Sequence, residues 1–155
     1  MKKKLLVLAL ALAFVGACSF TGPKVAFNLP NINGTQFDSA VNAKKQPVFL
    51  AFMATYCGYC KMSVPMIVEL QNNFGSKGLK VVGVFSDGSA DGPAAYAKEF
   101  GINYDVLYQG GQLAQEAKVN GVPHFVLLNK NHQIVRVWSG YSPDHNFAEE
   151  IQKVL

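Results

Sequence analysis

Cys57-Gly58-Tyr59-Cys60 follows closely on Pro47-Val48-Phe49-Leu50-Ala51-Phe52-Met53, an unbroken apolar run of strand length. A run with no polar alternation suits a strand covered on both faces. Beyond the cysteines, Met62, Pro65, Met66, Val68, Leu70 and Phe74 recur at roughly helical spacing, and Gly75 is the expected stop. Cys57 is thereby placed at a helix N-terminus, where free backbone N–H groups and the helix dipole favour an anion. That position should lower the pKa of its thiol and make Cys57 the nucleophile. Cys60, one turn in, can close a short-range disulfide with it. The pattern reads as a redox dithiol that needs no cofactor beyond its own disulfide. A zinc site would need four ligands. The only other cysteine is Cys18, and His124, His132 and His145 form no closely spaced pair.

The 155 residues suffice for one domain with a proper core. The formal charge of +4 owes much to Lys2, Lys3 and Lys4. Without them the chain is close to neutral, and no basic run follows, so a nucleic-acid partner is not expected. Those lysines and the apolar residues 5–15 read as an export signal, too short to span a bilayer. Val15-Gly16-Ala17-Cys18 resembles a bacterial lipobox. The resemblance implies removal of residues 1–17, a lipid on Cys18, and a cell-envelope protein held to the membrane by that anchor. Plain secretion is the alternative. Residues 18–24 then form a short tether and 25–155 the domain.

Along that domain, residues 25–27 and 35–37 read as a hairpin-like pair around Gly34, and Asp38 or Ser39 as the cap of a short helix to about Lys45. Residues 78–86 form a second buried strand, spaced from the first as in a βαβ unit. Residues 93–100 and 112–118 read as helices with a small strand at 105–108 between them. Val122-Pro123 leads into the strand 124–128, which makes a hairpin with 134–139. Ser142-Pro143 is the expected start of a last helix bearing Phe147, Ile151 and Leu155 on one face.

Apolar strand, C-x-x-C helix, Val122-Pro123, hairpin and terminal helix together resemble the thioredoxin fold from about residue 25 to the end. The early Leu29-Pro30 and Gly34 resemble its membrane-tethered, TlpA/ResA-like branch. The resemblance implies an α/β fold with a central mixed sheet flanked by helices, an N-terminal β-hairpin extension and a βα insertion. It implies a cis Val122–Pro123 bond packed against the dithiol, with the Val122 backbone and Tyr59 meeting substrate. It also implies an extracytoplasmic thiol:disulfide oxidoreductase, working as a monomer. Its partners would be proteins with cysteines or disulfides, and a membrane electron donor of thiol–disulfide type. A reductant serving cytochrome c maturation or disulfide repair is the leading expectation. An oxidase or isomerase, or a non-catalytic copper-binding module, are the alternatives. The chain departs from the pattern in several places, among them Met53 and Tyr56 where the family commonly has Trp. Ala51 stands where thioredoxins carry a buried Asp. Ser63, expected at the exposed end of the helix, stands where the branch often has Glu. Gly58-Tyr59 matches the isomerase dipeptide of the DsbC type.

Overall fold

The computed structural model describes residues 22–155; the signal segment and Cys18 lie outside the described residues. The expected central strand is β3 (Val48–Met53), and all six of its residues are buried. It pairs in parallel with β4 (Lys80–Phe85) and antiparallel with β6 (His124–Leu128). Beyond them lie β5 (Asp105–Leu107), parallel to β4, and β7 (Ile134–Ser139), antiparallel to β6. The sheet order is β5-β4-β3-β6-β7. Side-chain alternation divides the core between the two faces. Phe49, Ala51 and Met53 join Cys60, Val64, Ile67 and Phe147 on one side, while Val48, Leu50 and Phe52 join Phe27, Phe37 and Leu113 on the other.

The dithiol helix is α2 (Gly58–Phe74). Its Pro65 supplies no N–H to the Lys61 carbonyl, and the helix runs on regardless because its inward face, Val64, Ile67 and Leu70, is buried. Gly75 caps the end of α2, as expected. It keeps a right-handed backbone, a 3-10 turn follows over Gly75–Lys77, and Gly78 at φ 103° supplies the left-handed terminator.

The expected hairpin forms three residues later in its first strand. β1 (Asn28–Pro30) pairs with β2 (Gln36–Asp38). Residues 25–27 are taken up elsewhere: Val25 N–H donates to the His132 carbonyl (2.8 Å) and Phe27 N–H to Ser39 Oγ (3.0 Å). The hairpin covers the open edge of β5. Ile32 N–H donates to the Val106 carbonyl and Tyr108 N–H to the Pro30 carbonyl, both at 3.0 Å, and Asn31 Nδ2 donates to Asp105 Oδ1 at 2.9 Å. An uncovered edge would invite pairing with other chains.

α1 (Ser39–Asn42) is capped by the Asp38 carboxylate, which accepts the Ala40 N–H at 2.8 Å. The insertion between β4 and β6 consists of α3 (Asp91–Glu99), β5 and α4 (Gly111–Glu116). The last helix, α5 (Phe147–Gln152), starts later than Ser142-Pro143 suggests. Ser142 Oγ instead accepts the Asp144 N–H (3.2 Å), a local turn that competes with helix. Phe147 and Ile151 are buried on α5, whereas Leu155 lies past its end. Among the described residues no helix is long and apolar enough to cross a membrane.

Candidate active site

β3 delivers the chain to Thr55 at the sheet's end, and Cys57 becomes the N-cap of α2 with an extended backbone (φ −87°, ψ 111°). Its Sγ accepts the Cys60 N–H at 3.1 Å, as a capping oxygen would. The two cysteines form a disulfide, with Cα atoms 5.2 Å apart. Cys57 is half-buried and Cys60 fully buried. One sulfur is open to a partner and the other is reached only through it.

The Val122–Pro123 peptide is cis. The Val122 carbonyl oxygen lies 3.6 Å from Cys57 Sγ. Val122 makes no backbone–backbone hydrogen bond among the described residues, whereas the Pro123 carbonyl is held by the Gly140 N–H at 2.8 Å. The loop is therefore pinned on its far side and leaves one peptide edge free beside the sulfur.

Around this edge lies an apolar rim. Tyr56, Tyr59 and Met62 are three of the five large hydrophobic side chains that stand exposed among the described residues, at 88%, 64% and 51%. Tyr59 stacks on Tyr141, with ring centroids 6.4 Å apart. Sequence reasoning found Tyr59 and missed Tyr141. Its only signal was its position just past Gly140, whose φ of 77° turns the chain back toward α2.

His124 does not approach the dithiol. In register it sits opposite Phe52, on the sheet face away from Cys60, with its ring 6.3 Å from that of Phe52. Its Nδ1 lies 3.2 Å from Ser139 Oγ, and Nε2 is buried without a partner. Burial pushes its pKa below the ordinary histidine value. A copper site made of the two cysteines and this histidine has no geometric support, and among the described residues no cluster of three potential metal ligands occurs.

Two expectations about proton handling change or sharpen. Ala51 is fully buried on the dithiol side of β3, so the site of the missing Asp is apolar. Ser63 is not at an exposed end of α2. It is 1% exposed, and its hydroxyl donates to the Tyr59 carbonyl at 2.9 Å. One turn of helix beyond Cys60 carries it under the rim rather than out to solvent. Lys61, next to the pair, lies over the Phe100 ring, 5.5 Å from its centroid.

The Redoxin family matches residues 19–155. The chain belongs to the redoxin family. Its relatives include the thiol-disulfide oxidoreductase ResA of Bacillus subtilis, 28% identical over 115 residues, which cover 74% of this chain and 64% of ResA. The match thus spans slightly less than two thirds of that relative. The thioredoxin of Haemophilus influenzae is 32% identical over 99 residues, covering 64% of this chain and 90% of the relative. Among solved structures, a thioredoxin-family thiol:disulfide interchange protein from Chlorobium tepidum superposes with a TM-score of 0.75 at 22% identity, over 86% of this chain and 96% of its own. That likeness shows the thioredoxin fold. By family, this redoxin is a thioredoxin-like oxidoreductase.

Proposed function

We propose that this redoxin is an extracytoplasmic thiol:disulfide oxidoreductase acting on protein substrates, with Cys57 as nucleophile and Cys60 as resolving thiol. The observation that carries the reading is the asymmetry of the pair: Cys57 is open at the N-cap of α2 and Cys60 is sealed beneath it. As a reductant, the Cys57 thiolate attacks one sulfur of a partner disulfide. A Cys57–partner bond forms, the partner's own S–S bond breaks, and its second sulfur leaves as thiolate. Cys60 then loses its proton and attacks Cys57 Sγ. The partner's first sulfur leaves with the bonding pair, and Cys57–Cys60 is oxidised while the partner is reduced. The free Val122 edge suits backbone pairing with an extended substrate segment. Tyr56, Tyr59, Met62 and Tyr141 supply a sequence-tolerant apolar rim for it.

Reduction is the favoured direction, with wrong disulfides or a disulfide between the cysteines of a maturing cytochrome c as substrates and a membrane dithiol donor to recharge the pair. The resemblance to ResA supports it. The lipobox-like Val15-Gly16-Ala17-Cys18, which would attach a lipid at Cys18, supports a place in the cell envelope beside such a donor. The test is a pair of variants. Cys57→Ser should abolish insulin reduction, whereas Cys60→Ser should accumulate mixed disulfides with real partners. Trapping by Cys57→Ser instead would reverse the roles. The potential of the couple settles direction: about −270 mV is the thioredoxin-like reducing value and about −120 mV the oxidising one.

A further inference from the structure

At the end of the domain opposite the dithiol, lysines gather where the N-terminal segment joins the sheet. Lys24, Lys44, Lys45 and Lys130 line one surface hollow of about 510 Å³, and no carboxylate lines it. All four are exposed. The ion pairs among the described residues are Lys80–Asp105 and Lys153 with Glu149 and Glu150, so none neutralises this group. Lys130 reaches the Leu155 backbone oxygen, and among the described residues Lys24, Lys44 and Lys45 form no ion pair. The nearest acid in sequence, Asp38, is occupied in capping α1. Beside the hollow, on α1, Val41 is 72% exposed, second only to Tyr56 among the large hydrophobic side chains of the described residues. Nothing in the redox site uses it.

We infer that this lysine-rich end is a membrane-facing surface, binding anionic lipid headgroups electrostatically while Val41 enters the interfacial layer. The orientation rests on the proposed lipid anchor. Residue 18 lies four positions before Gly22, and a stretch of that length reaches at most ~14 Å. Gly22 adjoins Pro23 and Lys24, which are already fixed to β7: the Ile134 N–H donates to the Pro23 carbonyl at 3.0 Å, and Lys24 bridges to Gln133. An acyl chain on residue 18 therefore holds this end of the domain, with Lys24 next to the tether, within reach of the bilayer. β3 runs from this end to the dithiol, and a strand of its length spans roughly 20 Å. With the lysines against lipid, Cys57 and its aromatic rim point away from the membrane toward soluble partners.

The test uses residues 18–155 with Cys18→Ala, so that no acyl chain contributes. Cosedimentation is measured with phosphatidylcholine vesicles with and without phosphatidylglycerol. The chain should bind only the anionic vesicles, and less tightly as salt rises. Replacing Lys24, Lys44 and Lys45 by Gln should weaken binding on the order of a hundredfold, about fivefold for each lysine. A Val41→Trp variant should be quenched by brominated lipid, against the constant signal of Trp138, which is 8% exposed. Undiminished binding by the triple variant overturns the inference. So does equal affinity for heparin without quenching at position 41, which would make the patch a general polyanion site. If the native chain carries no lipid yet the Cys18→Ala chain passes these tests, the anchor reading fails and the lipid-binding face stands.

Discussion

Cys60 must become a thiolate in the second half of the exchange, and its surroundings oppose that. It is fully buried in a cluster with Ala51, Met53, Val64 and Ile67, and burial in apolar surroundings disfavours the charged form. No carboxylate occupies either position where the thioredoxin resemblance implies one, since Ala51 and Ser63 stand there. Resolution of the mixed disulfide should therefore depend on hydroxide, rising close to tenfold per pH unit between pH 6 and 8. Stopped-flow decay of a Cys57–glutathione adduct measures this, and a flat profile would mean that a base elsewhere takes the proton. Ser63→Glu should raise the neutral-pH rate by up to roughly 10²-fold. Its carboxylate would be buried, however, so the variant should also be less stable. His124 makes a second prediction. Its folded pKa is depressed by burial, so below about 6.5 the unfolded chain takes up a proton that the folded chain resists. This contribution is fully present above that pH and is lost as pH falls toward the depressed folded value. The slope reaches at most about 1.4 kcal/mol per pH unit. Urea midpoints from pH 4.5 to 7.5 should show His124→Leu with a shallower acid loss than the parent; parallel curves would remove His124 from the account.

The hairpin β1–β2 illustrates what one buried polar contact does for an element. Asn31 is 4% exposed, and its amide joins the hairpin to Asp105 on β5. Asn31→Ala removes that donor and the Asn33 N–H acceptor, and should cost about 1–3 kcal/mol in urea unfolding, the range for losing one partner of a buried hydrogen bond. Asp105 retains Lys80 at 3.4 Å, which should keep the loss from growing. No sequence rule pointed to this tie, because residues 31 and 105 are brought together only by the tertiary fold. The core elements were legible for the opposite reason. β3, α2, β6 and β7 each carry a local signature, whether a continuous apolar run, a C-x-x-C cap or a hairpin alternation. The ends were less legible. Ser142 and residues 25–27 were misassigned where a serine turn and a backbone bond to His132 outcompeted local preference. In the site, the C-x-x-C and Val122-Pro123 motifs were legible, and the structure brings the Val122 carbonyl next to Cys57. Tyr141 and the burial of Ser63 were not readable, since both depend on how the chain turns after β7 and how α2 rotates on the sheet.

At the scale of the molecule, the two ends have different chemistry. One presents the dithiol, a free peptide edge and exposed aromatics; the other presents lysines and the incoming N-terminal segment. A soluble reductant would not need that polarity, but a tethered one does, because its sulfur must face its partners while its tail is held in lipid. The anchor we propose at Cys18, from the lipobox-like Val15-Gly16-Ala17-Cys18, would give that polarity a use. Acylation at Cys18 with more than one chain holds a protein stably, where a single chain binds only marginally. The native protein should therefore remain with the membrane fraction through a high-salt wash, which removes electrostatic binding and leaves acyl chains embedded. The Cys18→Ala chain, exported behind an ordinary cleavable secretory signal, should wash off at high salt. It should still reduce insulin at the parental rate, because the dithiol lies at the far end of β3. Mass spectrometry of the native N-terminal peptide should show residue 18 first, with lipid mass added. An unmodified N-terminus, together with full release of the native protein by salt, would leave the lysine face as the sole membrane contact and make the protein a peripheral one.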